Sequence, residues 1–196
     1  MAVFGRAECC LEEPKPLAGG QMRRYGNLFE QIIHLDNFVQ AFYNAQRRKR
    51  GKLQPLLYEL DMDCQIQDTI QEIKSSTYRP KPYTVFSIYS PKKRVIYAPH
   101  FRDVVVQHAI YQVLYPILNP ILIGQNYACR VGYGPQRAAE YLQKCMRKCR
   151  DDEYFLQLDL KKYFYRIDPQ ALRQLLERKI KDKKVVDLVM LFTHYD

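Results

Sequence analysis

The chain has 196 residues, 47% of them apolar, with a net charge of +10 and a pI near 9.3. That length allows one domain, or one and a half, with a sizeable core, and the absence of any run of eighteen apolar residues argues against a helical membrane span. Sixteen Tyr and nine Phe without a Trp, beside that charge, fit a surface that neutralises phosphates and stacks on bases, although a bland basic protein has the same numbers. Charge indicates a polyanion partner and says nothing about catalysis.

The six cysteines are Cys9, Cys10, Cys64, Cys129, Cys145 and Cys149. None forms a CxxC pair and no His stands at zinc-ligand spacing beside them, so free thiols in a reducing cytoplasm are expected. Residues 1–21 show no periodicity and no basic start followed by an apolar core, so a disordered leader is expected there rather than a signal peptide.

From Tyr25 the pattern is helical, with Leu28, Ile32, Leu35, Val39 and Phe42 at steps of three and four and Asp36 as a possible restart. The basic run Arg47-Arg-Lys-Arg50-Gly-Lys52 suits a solvated helix end or a nucleic-acid contact equally well. A second helical region over 55–78 has Leu56, Leu60, Ile66, Ile70 and Ile73 as its stripe and is broken by Arg79-Pro-Lys-Pro82. Residues 83–89 and 94–99 read as a β-hairpin whose tip carries Lys92, Lys93 and Arg94. These cations either keep an exposed tip soluble or grip a triphosphate, Lys as a mobile point charge and Arg as a planar fork. A helix follows over 101–115, ended by Pro116 and Pro120, in which His108 is a core-edge histidine. Pro135 opens a helix with Ala138, Tyr141, Leu142, Cys145 and Cys149 on its apolar face. Asp151-Asp-Glu153 is a solvated acidic turn more simply than a metal site.

Residues 154–158 form an apolar run of the kind that makes a buried strand, with Asp159 at its far end. A carboxylate there is either solvated or placed where open sheets hold metal and ligand chemistry. Asp168-Pro169 has the composition of a helix start, and two helices are expected over 169–179 and 183–195.

Four blocks in order resemble bacterial reverse transcriptases of the group II intron, retron and diversity-generating retroelement type. They are Arg24-Tyr-Gly-Asn-Leu-Phe-Glu-Gln-Ile-Ile, the segment from Pro91 through Arg94 and Arg102-Asp103 to Gln107-His-Ala, Asn126-Tyr-Ala-Cys-Arg130-Val-Gly-Tyr-Gly134, and Leu158-Asp159-Leu-Lys-Lys-Tyr163-Phe-Tyr-Arg-Ile-Asp168. The third and fourth lean weakly toward the retroelement class. The resemblance implies an α+β right-hand polymerase fold with mostly helical fingers, a β-hairpin and the first palm strand. Residues 22–150 would be the N-terminal extension and fingers, and 151–196 the start of an incomplete palm.

The same resemblance implies an RNA-directed DNA polymerase whose partners are an RNA template, a DNA or RNA primer and dNTPs, with Mg²⁺ as cofactor. Asp159 matches the first metal-binding aspartate and Tyr163 the aromatic beneath the incoming sugar. Lys92 and Arg94 match residues that meet the triphosphate, while Arg102 and Arg130 line the nucleotide and template path more loosely. The family's Tyr-x-Asp-Asp motif does not occur in the chain, so it is expected to be inactive alone and to need the rest of the polymerase or an accessory protein. A non-catalytic nucleic-acid-binding module on the same scaffold is the alternative.

Overall fold

A computed structural model describes residues 23–150, 154, 156–161 and 163–193, without the side chains of 164 and 165. The expected leader and the acidic turn at 151–153 lie outside the described residues. Chain contacts divide the protein into two compact units, one of residues 22–116 and 164–196, the other including 117–163.

The larger unit begins with α1 (Leu28–Ile32) and α2 (Leu35–Gln46). The restart falls at His34, which precedes α2 in an extended conformation, and Asp36 takes its place in the first turn. Phe38, Ala41, Phe42 and Ala45 form the buried face of α2, as the spacing of three and four predicts.

The second helical region divides into α3 (Leu53–Leu60) and α4 (Met62–Lys74), with Asp61 between them at φ −134°, ψ 36°. That non-helical residue turns the apolar stripe out of phase. Ile66, Ile70 and Ile73 are buried, whereas Leu56 and Leu60 are exposed, so the single stripe read from the sequence is two faces pointing differently. α3 packs instead through Pro55 and Tyr58. The Tyr58 ring stacks on Phe42 at 5.7 Å and meets Phe101 edge-on at 5.4 Å.

β1 (Thr84–Ile88) and β2 (Arg94–Ala98) pair antiparallel, Thr84 opposite Ala98 and Ile88 opposite Arg94. They form the one sheet among the described residues. α5 (Phe101–Leu118) runs through Pro116 instead of stopping before it. A proline this close to a helix C-terminus forfeits a single backbone hydrogen bond and leaves few later turns to disturb. Its Gln112 accepts from Asn44 at 2.7 Å and donates to the Asn37 side chain at 2.7 Å, which ties α5 to α2.

The unit closes with α7 (Pro169–Glu177) and α8 (Lys183–Met190), whose Val185, Val186, Leu188 and Met190 are buried. The Asp168 carboxylate accepts from the Gln170 amide at 2.9 Å, which is the helix cap its sequence predicts. The turn between α7 and α8 holds the N-terminal arm. Tyr25 donates to the Lys179 carbonyl at 2.8 Å and accepts from the Lys181 amide at 2.7 Å. The Asp182 carboxylate accepts from the amides of Leu28 and Phe29 at the start of α1.

In the other unit, α6 (Pro135–Met146) begins at the expected proline. None of its residues is buried, and Leu142 is exposed. The strand expected over 154–158 is not formed: residues 154 and 156–160 have no regular secondary structure. Tyr154, Leu156 and Leu158 are 99%, 77% and 81% exposed. A strand is held by neighbours that satisfy its amides and carbonyls, and the sole sheet among the described residues is the distant-in-sequence β1–β2 pair, already complete as a hairpin. The protein is therefore α+β, helix-rich with a two-stranded sheet.

Candidate nucleotide and nucleic-acid interface

The hairpin supplies a cluster of exposed cations. Its fold is local: β-branched and aromatic residues on both arms favour strands, and Ser90-Pro-Lys-Lys93 cannot continue either one. Lys92, Lys93 and Arg94 are all exposed, Arg94 as the first residue of β2. The Lys93 ammonium lies 5.8 Å from the Tyr89 ring centre. Val85, Phe86, Val95 and Tyr97 leave about half of their area in solvent. A basic tip on an apolar and aromatic blade can meet phosphate and base together.

Arg102 differs sharply from those cations. Its side chain is only 11% exposed and its guanidinium bonds the Glu72 carboxylate at 3.0 and 3.2 Å. It also donates to the Arg79 carbonyl at 2.8 Å and lies 5.0 Å from the Tyr78 ring centre. Beside it Asp103, 1% exposed, accepts from the Tyr78 hydroxyl at 2.6 Å and from the Lys81 amide at 2.8 Å. Burial, followed by the hydrogen bond to the Asp103 carboxylate, pushes the Tyr78 hydroxyl far above its usual range, so Tyr78 stays a donor. The network fixes Arg79 and Lys81, the residues that lead into β1. Asp103 has no role in the sequence reading; its one signal is that it is the only acid of α5, set in the first turn.

Arg130 organises its own loop. It donates to the Asn119 side chain at 2.8 Å and to the carbonyls of Ile123 and Asn126 at 3.0 and 3.1 Å. Its guanidinium lies 3.9 Å from the Tyr133 ring centre, and Arg137 approaches the same ring at 5.3 Å. Gly132 at φ 76° and Gly134 at φ 155° give the left-handed geometry that turns this loop into α6. Tyr127 joins Tyr133 and Tyr141 at centre distances of 6.0 and 6.1 Å. Sequence reasoning singled out Arg130 but not Tyr133 or Arg137 as its neighbours.

Asp159 is exposed in the irregular segment, and Tyr163 opens a short 3-10 turn, Tyr163–Arg166. Among the described residues no group of three His, Cys, Asp or Glu is placed to hold a metal ion. Lys92, Arg94 and Arg102 thus belong to the larger unit, and Arg130, Asp159 and Tyr163 to the other. No hydrogen bond or ion pair joins Arg130 to Asp159 among the described residues.

Two histidines of the larger unit are perturbed. Burial, with Lys81 nearby, lowers the pKa of His100, and burial with Lys49 nearby lowers that of His108. His108 is half-buried on α5, as a core-edge histidine should be. No helix among the described residues is long and apolar enough to cross a membrane.

Comparison with known proteins finds similarity to a group II intron-encoded protein and to a mitochondrial protein. It is 27% identical over 175 residues to the group II intron-encoded protein LtrA of Lactococcus lactis subsp. cremoris, a match covering 86% of this chain and 28% of LtrA. It is 28% identical over 92 residues to the uncharacterized mitochondrial protein ymf11 of Marchantia polymorpha, covering 45% of this chain and 12% of that protein. The chain thus spans less than a third of the length of either relative. No protein-family model matches it. The resemblance carried by the four blocks, to bacterial reverse transcriptases of the group II intron type, extends over most of the chain as similarity to a group II intron-encoded protein.

Proposed function

We propose that the chain is the fingers and the start of the palm of an RNA-directed DNA polymerase, residues 22–150 forming the N-terminal extension and fingers and 151–196 the first part of the palm. The observation that carries this reading is the similarity to LtrA across 86% of the chain, with the exposed Lys92 and Arg94 at the hairpin where the family meets its nucleotide. Phosphoryl transfer depends mainly on positioning and on neutralising charge. Lys92 and Arg94 take the triphosphate charge in this proposal. Arg102 and Arg130 shape the nucleotide and template path, and Tyr163 packs beneath the incoming sugar. Template, primer and dNTPs are the partners.

The carboxylate oxygens of Asp159 are the donor type that Mg²⁺ prefers. Taken alone they do not fit a complete site, since no metal-holding group occurs among the described residues. Asp159 is proposed as one ligand of a set completed by further carboxylates, and the chain by itself as a binder of template and primer that does not extend them.

The test is fluorescence anisotropy of a labelled RNA template–DNA primer duplex titrated with this chain. Affinity is expected to fall log-linearly with salt, as neutralised phosphates release their counterions. K92A/R94A should shallow that slope by about one to two contacts, whereas D159A should leave it unchanged. Absence of binding, or a flat salt response, would refute the reading.

A further inference from the structure

Residues 117–150 carry six cations, Arg130, Arg137, Lys144, Arg147, Lys148 and Arg150, against one acid, Glu140. Glu140 accepts from Gln136 at 3.3 Å. Among the described residues none of the six cations makes an ion pair. Arg147 and Lys148 follow the C-terminal end of α6, where the helix dipole favours positive charge. Arg137 has no such reason. It is the third residue of α6, at the end where the dipole opposes a cation, and no acid stands in that first turn. It also shares the Tyr133 ring with Arg130, at 5.3 and 3.9 Å from the ring centre. Arg130 is held there by its loop hydrogen bonds, whereas Arg137 is exposed. Two guanidiniums beside one ring, with no carboxylate, leave positive charge that an anion from outside would neutralise.

The aromatic rings stand among these cations. Arg137 and Lys144 are seven residues apart within α6, so they share a face and lie about 10 Å apart along its axis. Lys144, like Arg137, is exposed. Tyr141, four residues after Arg137 and three before Lys144, borders that face and is half-buried. Tyr127 meets Tyr141 and Tyr133 at ring-centre distances of 6.1 and 6.0 Å. Ring and cation thus alternate through Tyr133, Arg137, Tyr141 and Lys144, all on α6 and the loop that leads into it.

That combination suits one kind of polyanion. Phosphates need cations, and base planes need ring faces to stack on. An unpaired strand offers both at once, because its bases are free of a partner and every base has a π-face. A duplex offers its phosphates but keeps its base planes stacked inside.

We propose that α6 and the loop before it bind an unpaired nucleic-acid strand, its phosphates on Arg137 and Lys144 and its bases against the tyrosine rings. Neither contact reads the 2′-hydroxyl, so RNA and DNA strands bind alike. The site is separate in sequence from Lys92 and Arg94 and does not depend on the polymerase reading. That reading is tested on a template–primer duplex and this one on a strand without a primer, so either can fail alone.

Fluorescence anisotropy with a labelled oligouridylate of about fifteen nucleotides tests this, with oligothymidylate of the same length beside it. R137Q/K144Q should weaken binding of both by about tenfold at ~0.1 M salt and shallow the salt slope by about 1.4, two lost phosphate contacts on a single strand. R137K/K144R keeps both charges and should keep the slope. K74Q/K183Q removes two exposed lysines elsewhere and should leave affinity within about twofold. An abasic strand of equal charge should bind at least about fivefold more weakly than oligouridylate, since stacking is lost. All of these substitutions are at exposed positions and should leave far-UV circular dichroism unchanged. An R137Q/K144Q chain that binds like wild type, an equal loss in K74Q/K183Q, or an abasic strand bound as tightly as oligouridylate would overturn the proposal. So would binding of oligouridylate but not oligothymidylate, or an equal loss on a blunt RNA duplex, which would assign the cations to paired backbone.

Discussion

Replacing Asp103 with alanine should unfasten the segment that leads into the hairpin. The carboxylate accepts from the Tyr78 hydroxyl and the Lys81 amide and lies 3.7 Å from the Arg102 guanidinium. Tyr78 is 1% exposed, so its hydroxyl is left with no acceptor and no water, at a cost of roughly 1–3 kcal/mol. The Lys81 amide adds less, because it is only partly buried. Arg102 keeps Glu72 as an ionic partner, so the full cost of a broken buried pair, about 3–5 kcal/mol, does not apply.

A total near 3 kcal/mol is expected, which lowers Tm by about 6–12 °C for a chain of this size. Urea unfolding followed by circular dichroism measures it. Combining D103A with Y78F should show coupling above ~1 kcal/mol, since both remove one contact. Amide exchange at Lys81 should accelerate in D103A before global unfolding. A loss below ~1 kcal/mol with Lys81 exchange unchanged would refute the assignment of this network as the anchor of the hairpin.

Two further outcomes follow from other parts of the larger unit. D182A removes the acceptor for the first amides of α1 and should cost about 1 kcal/mol, with D182N retaining most of it; equal unfolding midpoints for D182A and wild type would rule out this cap. His108 is held neutral by burial, its folded pKa below the ~6.5 of the unfolded chain. The unfolded state therefore binds its proton first, and stability falls as pH drops below about 6.5, with no effect above it. H108Q should flatten the decline of Tm between pH 7 and pH 5, leaving the contribution of His100; an unchanged slope would contradict the role given to burial at this site.

Much of the local structure is legible in the residues themselves. The hairpin, the helix start at Asp168-Pro169 and the helix opened by Pro135 all depend on backbone preferences within a few residues. Pro116 deceived that reasoning because its penalty depends on how many turns follow it. The stripe across α3 and α4 deceived it for a related reason: one residue, Asp61, rotates the phase, and nothing about an aspartate in that place demands a break. Residues 154–158 have a strand's composition, but a strand needs partners, and composition does not supply them.

Sequence alone determined that this is a basic, aromatic, α+β chain with exposed cations on a hairpin and a resemblance to reverse transcriptases of the group II intron type. Only the tertiary structure decided where the long side chains end. On paper Arg94 matches a triphosphate ligand and Arg102 lines the nucleotide path more loosely; in the fold Arg102 is directed into Glu72 and the Arg79 carbonyl while Arg94 stays in solvent. Asp182 caps a helix that begins 154 residues before it. Local dihedral preference acts over one or two turns. The destination of a charged group depends on which acceptors fold around it, and those come from distant parts of the chain.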